Sequence, residues 1–164
     1  MCGIVGIAGA QETPWLSAMA GAVRHRGPDD AGEYRDADVG LAMHRLSILD
    51  LAGGRQPMAN EARTVWIVHN GEIFNAPELR RELEARGRRF VTTNSDTEVL
   101  LRLYEEKGEA MCGDLNGMFA FVLYDRPRGL LFGARDPVSI KPLYYTRRPA
   151  LIACRKFDRR LSTP

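Results

Sequence analysis

Residues 2–9 read CGIVGIAG, a short apolar run interrupted by glycines. An apolar run of this length predicts a buried strand, and glycines in a strand let another backbone approach closely. Cys2 would stand at the beginning of this strand. Runs rich in branched and aromatic residues predict further strands at residues 39–49, 64–70, 117–125, 130–135 and 141–146.

Three helices are predicted between these strands. The first begins at Thr13, where a proline follows and apolar residues recur at helical spacing. The other two begin at apparent capping boxes, Asn75 with Glu78 and Ser95 with Glu98. Strands on both sides of a helical middle, without a repeat, predict one α+β domain.

Composition excludes several classes of protein. The chain has 164 residues, with a net charge of +2, 45% apolar and 27% charged residues. This balance predicts a globular domain without a nucleic-acid or membrane partner, and no apolar run reaches the roughly 18 residues of a membrane helix. Three cysteines and three histidines lack metal-site spacing. We therefore expect no metal and a reducing, cytoplasmic compartment.

Cys2 is the first candidate catalytic residue. Removal of Met1 would expose its α-amine, whose pKa of about 7.7–8.0 lies close to neutral pH. Such an amine can act as the base for the thiol of the same residue, as in N-terminal nucleophiles. The alternative is a small apolar residue that begins a strand, and Cys2 taken alone favours that structural interpretation.

The pair Asn70-Gly71 is a candidate oxyanion hole. A side-chain amide and a neighbouring backbone N–H at a strand end are two donors that can converge on one oxygen. The alternative is a type I′ hairpin turn, which the pair taken alone favours. His69 is expected to be a packed or solvated neighbour of this pair rather than a base.

Arg45 and Asp96 are candidate binding residues. A guanidinium binds a carboxylate with two hydrogen bonds, and a carboxylate pairs with an ammonium group. Together they would suit the two ends of an α-amino acid. The alternative for Asp96 is a favourable interaction with a helix dipole.

Nine motifs, taken together, resemble the glutaminase domain of class II glutamine amidotransferases, in particular the asparagine synthetase branch. They are MCGIVGI at 1–7, RHRGPD at 24–29, RLSILDL at 45–51, QPM at 56–58, NGEIFN at 70–75, SDTEVLL at 95–101, LNGMFAFVLYD at 115–125, ARD at 134–136 and IKPLYY at 140–145. The resemblance implies an N-terminal nucleophile hydrolase fold, a four-layer αββα sandwich with two antiparallel sheets. It also implies hydrolysis of glutamine to glutamate and ammonia.

The resemblance also assigns roles to individual residues. Cys2 matches the nucleophile that forms a glutamyl thioester, and Asn70 and Gly71 match the oxyanion-hole donors. The positions that match the glutamine-binding site are Arg45, Leu46, Ser47, Ile48, Leu49, Asn70, Gly71, Glu72 and Asp96. No cofactor is expected in this domain, because ATP and magnesium belong to the family's synthetase domain. L-glutamine is the expected ligand, and a homodimer or a synthetase domain on another chain are candidate protein partners.

The chain departs from the family at two places. Ser139 stands where the family has glycine, which would strain the backbone if φ is positive there. We expect an amidotransferase domain at residues 1–145, incomplete at its C-terminal end, and a divergent basic tail at 146–164, with the ATP-binding synthetase domain absent. The alternatives are a non-catalytic remnant that binds glutamine, or an amidotransferase of this branch that serves another acceptor.

Overall fold

The computed structural model describes residues 2–9, 13–46, 54–148 and 151–157. The strands are β1 (Gly3–Ala8), β2 (Asp30–Arg35), β3 (Val39–Arg45), β4 (Met58–Ala59), β5 (Val65–Ile73), β6 (Gly117–Asp125), β7 (Leu130–Arg135), β8 (Leu143–Arg148) and β9 (Leu151–Phe157). The α-helices are α1 (Thr13–Val23), α2 (Ala76–Ala85) and α3 (Asp96–Lys107), and 3₁₀ turns occur at Arg24–Arg26 and Gly108–Asp114.

The described residues form four layers. One antiparallel sheet has the order β2-β3-β1-β9-β8 and the other β4-β5-β6-β7. Leu16 of α1 belongs to an apolar cluster on the outer face of the first sheet. Leu41 and Val122 are buried between the two sheets, and Phe121 and Leu100 are buried between the second sheet and α2 and α3. The predicted αββα sandwich is therefore confirmed.

The strand that follows Cys2 lies in the middle of the first sheet. β1 pairs with β3 along its whole length and with β9 through Gly6, Ile7 and Ala8. The boundary predicted at residue 145 falls inside β8, and residues 151–157 continue the same sheet. Strand pairing uses backbone groups, so a change of side-chain pattern after residue 145 does not by itself remove this segment from the sheet.

The predicted helix starts are correct, but the capping boxes are not formed. Asn75 precedes α2, and its side chain donates to Asp114 O at 2.8 Å and accepts from Asn116 N at 2.9 Å. Ser95 also lacks a side-chain cap bond. The Glu98 carboxylate instead accepts two backbone N–H bonds from the loop before α3. These side chains fix loops to the helices, which is a tertiary role that local spacing does not show.

Ser139 has a φ of +65°, so the backbone strain expected at this position is present. Its loop is held by the buried Asp136, whose carboxylate accepts from the N–H groups of Ile140 and Lys141, each at 2.8 Å. Lys141 lines the cleft described below, so this loop contributes to the site.

Replacing Ser139 with glycine is expected to raise the free energy of unfolding by about 1 kcal/mol, because glycine adopts positive φ without a steric penalty. Urea denaturation followed by circular dichroism measures the change. Ser139→Ala is the matched control, since it removes the hydroxyl group and keeps the strained backbone. A glycine variant no more stable than the alanine variant would contradict the strain.

Candidate active site

A cleft brings residues of both sheets together with the N-terminus of α3. The predicted site residues that line it are Cys2, Arg45, Leu46, Asn70, Gly71, Glu72 and Asp96. These residues are far apart in the sequence, and the fold places them around one space. The predicted residues Ser47, Ile48 and Leu49 lie outside the described residues.

Cys2 is partly exposed, and its thiol faces the end of β3. The Leu46 backbone N–H donates to Cys2 Sγ at 3.4 Å, and Sγ lies 3.6 Å from Leu46 O. Arg26 Nε donates to the Cys2 carbonyl oxygen at 3.2 Å. The backbone and the side chain of Cys2 are thus fixed by separate partners, which orients the sulfur in the cleft.

Asn70 and Gly71 lie inside β5, so the alternative interpretation as a hairpin turn is wrong. They pair with Ala120 and Phe119 of β6 in a continuous antiparallel register. Asn70 is buried, and no hydrogen bond of its side-chain amide is found within the described part of the chain. A Cβ at Gly71 would collide with the carbonyl oxygen of Met118, so only glycine fits there. Because its amide has no hydrogen-bond partner among the described residues, Asn70 can donate a hydrogen bond to a ligand in the cleft.

The cleft carries charges of both signs. Arg45, the last residue of β3, is buried. Asp96 is the first residue of α3, and its Oδ2 accepts from Ile73 N at 3.1 Å. Glu72 is exposed at the same cleft. One guanidinium and two carboxylates around one space can bind the carboxylate and the ammonium group of an α-amino acid.

Gln56, His69, Thr97 and Lys141 are among the residues that line the cleft without having been predicted to do so. His69 is buried, and burial lowers its pKa below the ordinary value of 6.5. Asp96 raises that pKa and Lys141 lowers it further, so the ring is neutral near pH 7. The QPM and KPLYY motifs were the only signals in the sequence for Gln56 and Lys141, and their roles could not be derived from spacing.

Within the described ranges, no group of three or more His, Cys, Asp and Glu side chains is arranged to hold a metal ion. None of the helices in the same ranges is long and apolar enough to cross a membrane.

Known proteins share this sequence pattern. A family model described as glutamine amidotransferase domain matches residues 1–154. The chain is 46% identical over 153 residues to glutamine-hydrolysing asparagine synthetase 1 of Bacillus subtilis strain 168, covering 89% of this chain and 24% of that relative. A probable glutamine-hydrolysing asparagine synthetase of Dictyostelium discoideum is 41% identical over 149 residues, and the match covers 88% of this chain and 27% of that relative. The chain thus spans about a quarter of the length of these curated relatives.

A solved structure shares the fold. The glutamine phosphoribosylpyrophosphate amidotransferase of B. subtilis, complexed with ADP and GMP, superimposes with a TM-score of 0.74 at 23% identity. The match covers 93% of this chain and 41% of that chain. At this identity the likeness concerns the fold, and it confirms the predicted N-terminal nucleophile hydrolase architecture.

Proposed function

We propose, given that this chain belongs to the glutamine amidotransferase domain family, that its cleft hydrolyses L-glutamine to glutamate and ammonia. One observation carries the proposal. The cleft combines the Cys2 thiol, the amide of Asn70, for which the described residues supply no hydrogen-bond partner, and charges suited to an α-amino acid, on Arg45 and Asp96. A thiol nucleophile beside an amide donor is the arrangement that acyl transfer requires.

The reaction proceeds through a thioester. Once Met1 is removed, the α-amine of Cys2 takes the proton of its thiol, and Sγ attacks the side-chain amide carbon of glutamine. The Asn70 side chain and the Gly71 N–H stabilise the negative charge that develops on the amide oxygen. The proton returns from the amine to the leaving nitrogen, ammonia departs, and water then hydrolyses the glutamyl thioester to glutamate.

The charged residues orient the substrate. Arg45 binds the α-carboxylate, and Asp96 and Glu72 bind the α-ammonium group. In this proposal Leu46, Ser47, Ile48 and Leu49 contribute to glutamine binding, as the family resemblance implies, and the Leu46 N–H contacts Cys2 Sγ at 3.4 Å. No metal or organic cofactor takes part in these steps, because the nucleophile, the base and the oxyanion donors are all supplied by the chain.

The ammonia would serve a synthetase domain. Because the curated relatives are named as glutamine-hydrolysing asparagine synthetases, the acceptor proposed here is aspartate, activated with ATP and magnesium outside residues 1–164. That domain would be supplied by another chain or by a longer form of this one. An amidotransferase of the same branch with another acceptor would use the same glutaminase chemistry.

Glutamate release from L-glutamine by the purified chain tests the proposal, with intact mass to verify that Met1 has been removed. We expect steady turnover from the chain that begins with Cys2. The same chain carrying an uncleavable N-terminal extension is expected to be inactive, because its α-amine is locked in an amide. A folded, correctly processed chain that binds glutamine without releasing glutamate would overturn hydrolysis and leave a binding module.

A further inference from the structure

Three polar side chains from separate elements meet beneath the N-terminus of α3. His69 of β5 places its Nδ1 atom 3.2 Å from Thr97 Oγ1, and Gln56 Nε2 donates to the same oxygen at 3.1 Å. Gln56 Oε1 accepts the backbone N–H of His69 at 2.6 Å. Gln56 thus bridges the strand to the helix, and the three side chains form one connected network.

This network ends at the Asp96 carboxylate. The Oδ1 atom of Asp96 lies 3.8 Å from His69 Nδ1, while its Oδ2 atom accepts from the Ile73 backbone N–H. The two oxygens of one carboxylate are therefore approached by different groups. The rotation of the side chain is constrained in this way, and the carboxylate still lines the cleft.

The imidazole orients this carboxylate without neutralising it. A carboxylate near Nδ1 favours the tautomer that carries its proton on Nδ1, and we assign that tautomer from the network. Nδ1 then donates to Thr97 Oγ1, and its N–H dipole attracts Asp96 Oδ1 from 3.8 Å, which is an electrostatic contact and not a hydrogen bond. Because burial keeps the ring neutral near pH 7, the negative charge of Asp96 remains available to a cationic ligand. The Lys141 ammonium faces the same cleft and also disfavours a second positive charge on the ring.

The network also includes an unsatisfied atom. His69 Nε2 is buried and has no hydrogen-bond partner in the part of the chain that the structure describes. A buried polar atom without a partner destabilises a fold, and an apolar side chain of similar size would avoid that penalty. The contacts that offset this destabilisation must therefore be made by another atom of the ring. That atom is Nδ1, which contacts Thr97 and Asp96.

The geometry points to Gln56, His69 and Thr97 as positioning residues that hold the Asp96 carboxylate at the ammonium end of the ligand site. This inference rests on the proposed glutamine site and adds residues that act on the ligand only through Asp96. The network should not contribute to the binding of a ligand that lacks the α-amine. The network is thus a determinant of selectivity for α-amino acids over their des-amino analogues.

The test compares two ligands in a chain that binds without turnover. In the Cys2→Ala chain, calorimetry measures the Kd of L-glutamine and of 4-carbamoylbutanoate, which is glutamine without its α-amine. Thr97→Val, which removes the hydroxyl at nearly constant volume, is expected to weaken glutamine binding by up to about tenfold, the upper range for one hydrogen bond between neutral groups. Binding of 4-carbamoylbutanoate is expected to stay unchanged. Thr97→Ser keeps the hydroxyl and should restore glutamine affinity.

A second pair of variants tests the ring itself. His69→Asn keeps a donor near the position of Nδ1 and should retain glutamine affinity, whereas His69→Leu should lose about tenfold. In the chain with Cys2 intact, the same losses should appear in KM for glutamine and not in kcat. Far-UV circular dichroism and thermal unfolding identify any variant that fails to fold.

Two results would overturn the inference. If Thr97→Val weakened the binding of both ligands equally, the network would have only a general structural role. If the binding of both ligands stayed unchanged, the network would have no role in binding. A wild-type chain that releases no glutamate, together with amine-dependent loss in the Cys2→Ala background, would refute the proposed hydrolysis and leave this inference standing. Glutamate release by the wild-type chain, together with equal weakening of the binding of both ligands by Thr97→Val, would refute this inference and leave the proposed hydrolysis standing.

Discussion

Replacing Cys2 with alanine is expected to reduce glutamate release to the rate of a protein-free blank. No other thiol lines the cleft within the described residues, so no group remains to form the thioester. Glutamine binding should survive, since the charged contacts proposed for the ligand come from Arg45 and Asp96, which line the cleft. A coupled glutamate dehydrogenase assay measures the first quantity and calorimetry the second.

Cys112 provides the matched control for this experiment. It is another cysteine that forms no disulfide with the described residues, it is partly buried against the apolar cluster between α3 and the second sheet, and it does not line the cleft. Cys112→Ala should therefore hydrolyse glutamine at the wild-type rate. Turnover that persists in Cys2→Ala would refute Cys2 as the nucleophile, whatever the activity of Cys112→Ala.

Replacing Asn70 with alanine is expected to lower kcat by about 10²- to 10³-fold, the usual effect of losing one oxyanion-hole donor. KM should change little, because in the proposed mechanism the amide acts on charge that develops only in the transition state. Since its side chain has no hydrogen-bond partner among the described residues, the fold should tolerate the change. Steady-state kinetics with L-glutamine, together with a melting curve, measure both effects.

Asn116 is the control for this substitution. It is an exposed asparagine whose hydrogen bonds, as described, use its backbone, and it does not line the cleft. Asn116→Ala should leave kcat unchanged. If Asn70→Ala raised KM and left kcat intact, Asn70 would contribute to ground-state binding rather than to the oxyanion hole.

The strands with the strongest local signals were predicted with correct limits. β6 and β7 occupy residues 117–125 and 130–135, as predicted from two apolar runs around a proline- and glycine-containing turn. The apolar cluster facing α2 and α3 buries one face of β6, and the cluster between the two sheets buries the other. The hydrophobic pattern was therefore sufficient there.

Weaker local patterns did not give the observed structure. β2 was not among the predicted strands, because its sequence DAGEYR contains no apolar run and alternates between partial and full exposure. Its pairing with β3 through backbone groups is what makes it a strand. The Asn70-Gly71 pair matched a turn locally, yet β6 pairs with β5 through both residues. In both cases a neighbouring strand overrides the local preference.

The candidate site was only partly predictable. Cys2, Asn70 and Gly71 each favoured a structural interpretation when taken alone, and only the family resemblance assigned them roles, which stay predictions here. The structure adds that they share a cleft. The roles inferred for His69 and Thr97 depend on contacts between β5 and α3. The spacing of these residues along the chain does not predict such contacts.

The pairing of β9 with β1 sets an order of events during synthesis. Gly6 is opposite Cys154, so the strand that follows Cys2 lacks one neighbour until the segment 151–157 has left the ribosome. At about 5–20 residues per second, that interval lasts on the order of ten seconds. The sheet beside β1 is therefore incomplete until nearly the whole chain has been made. The removal of Met1 that the proposed role of Cys2 requires can precede closure of this sheet.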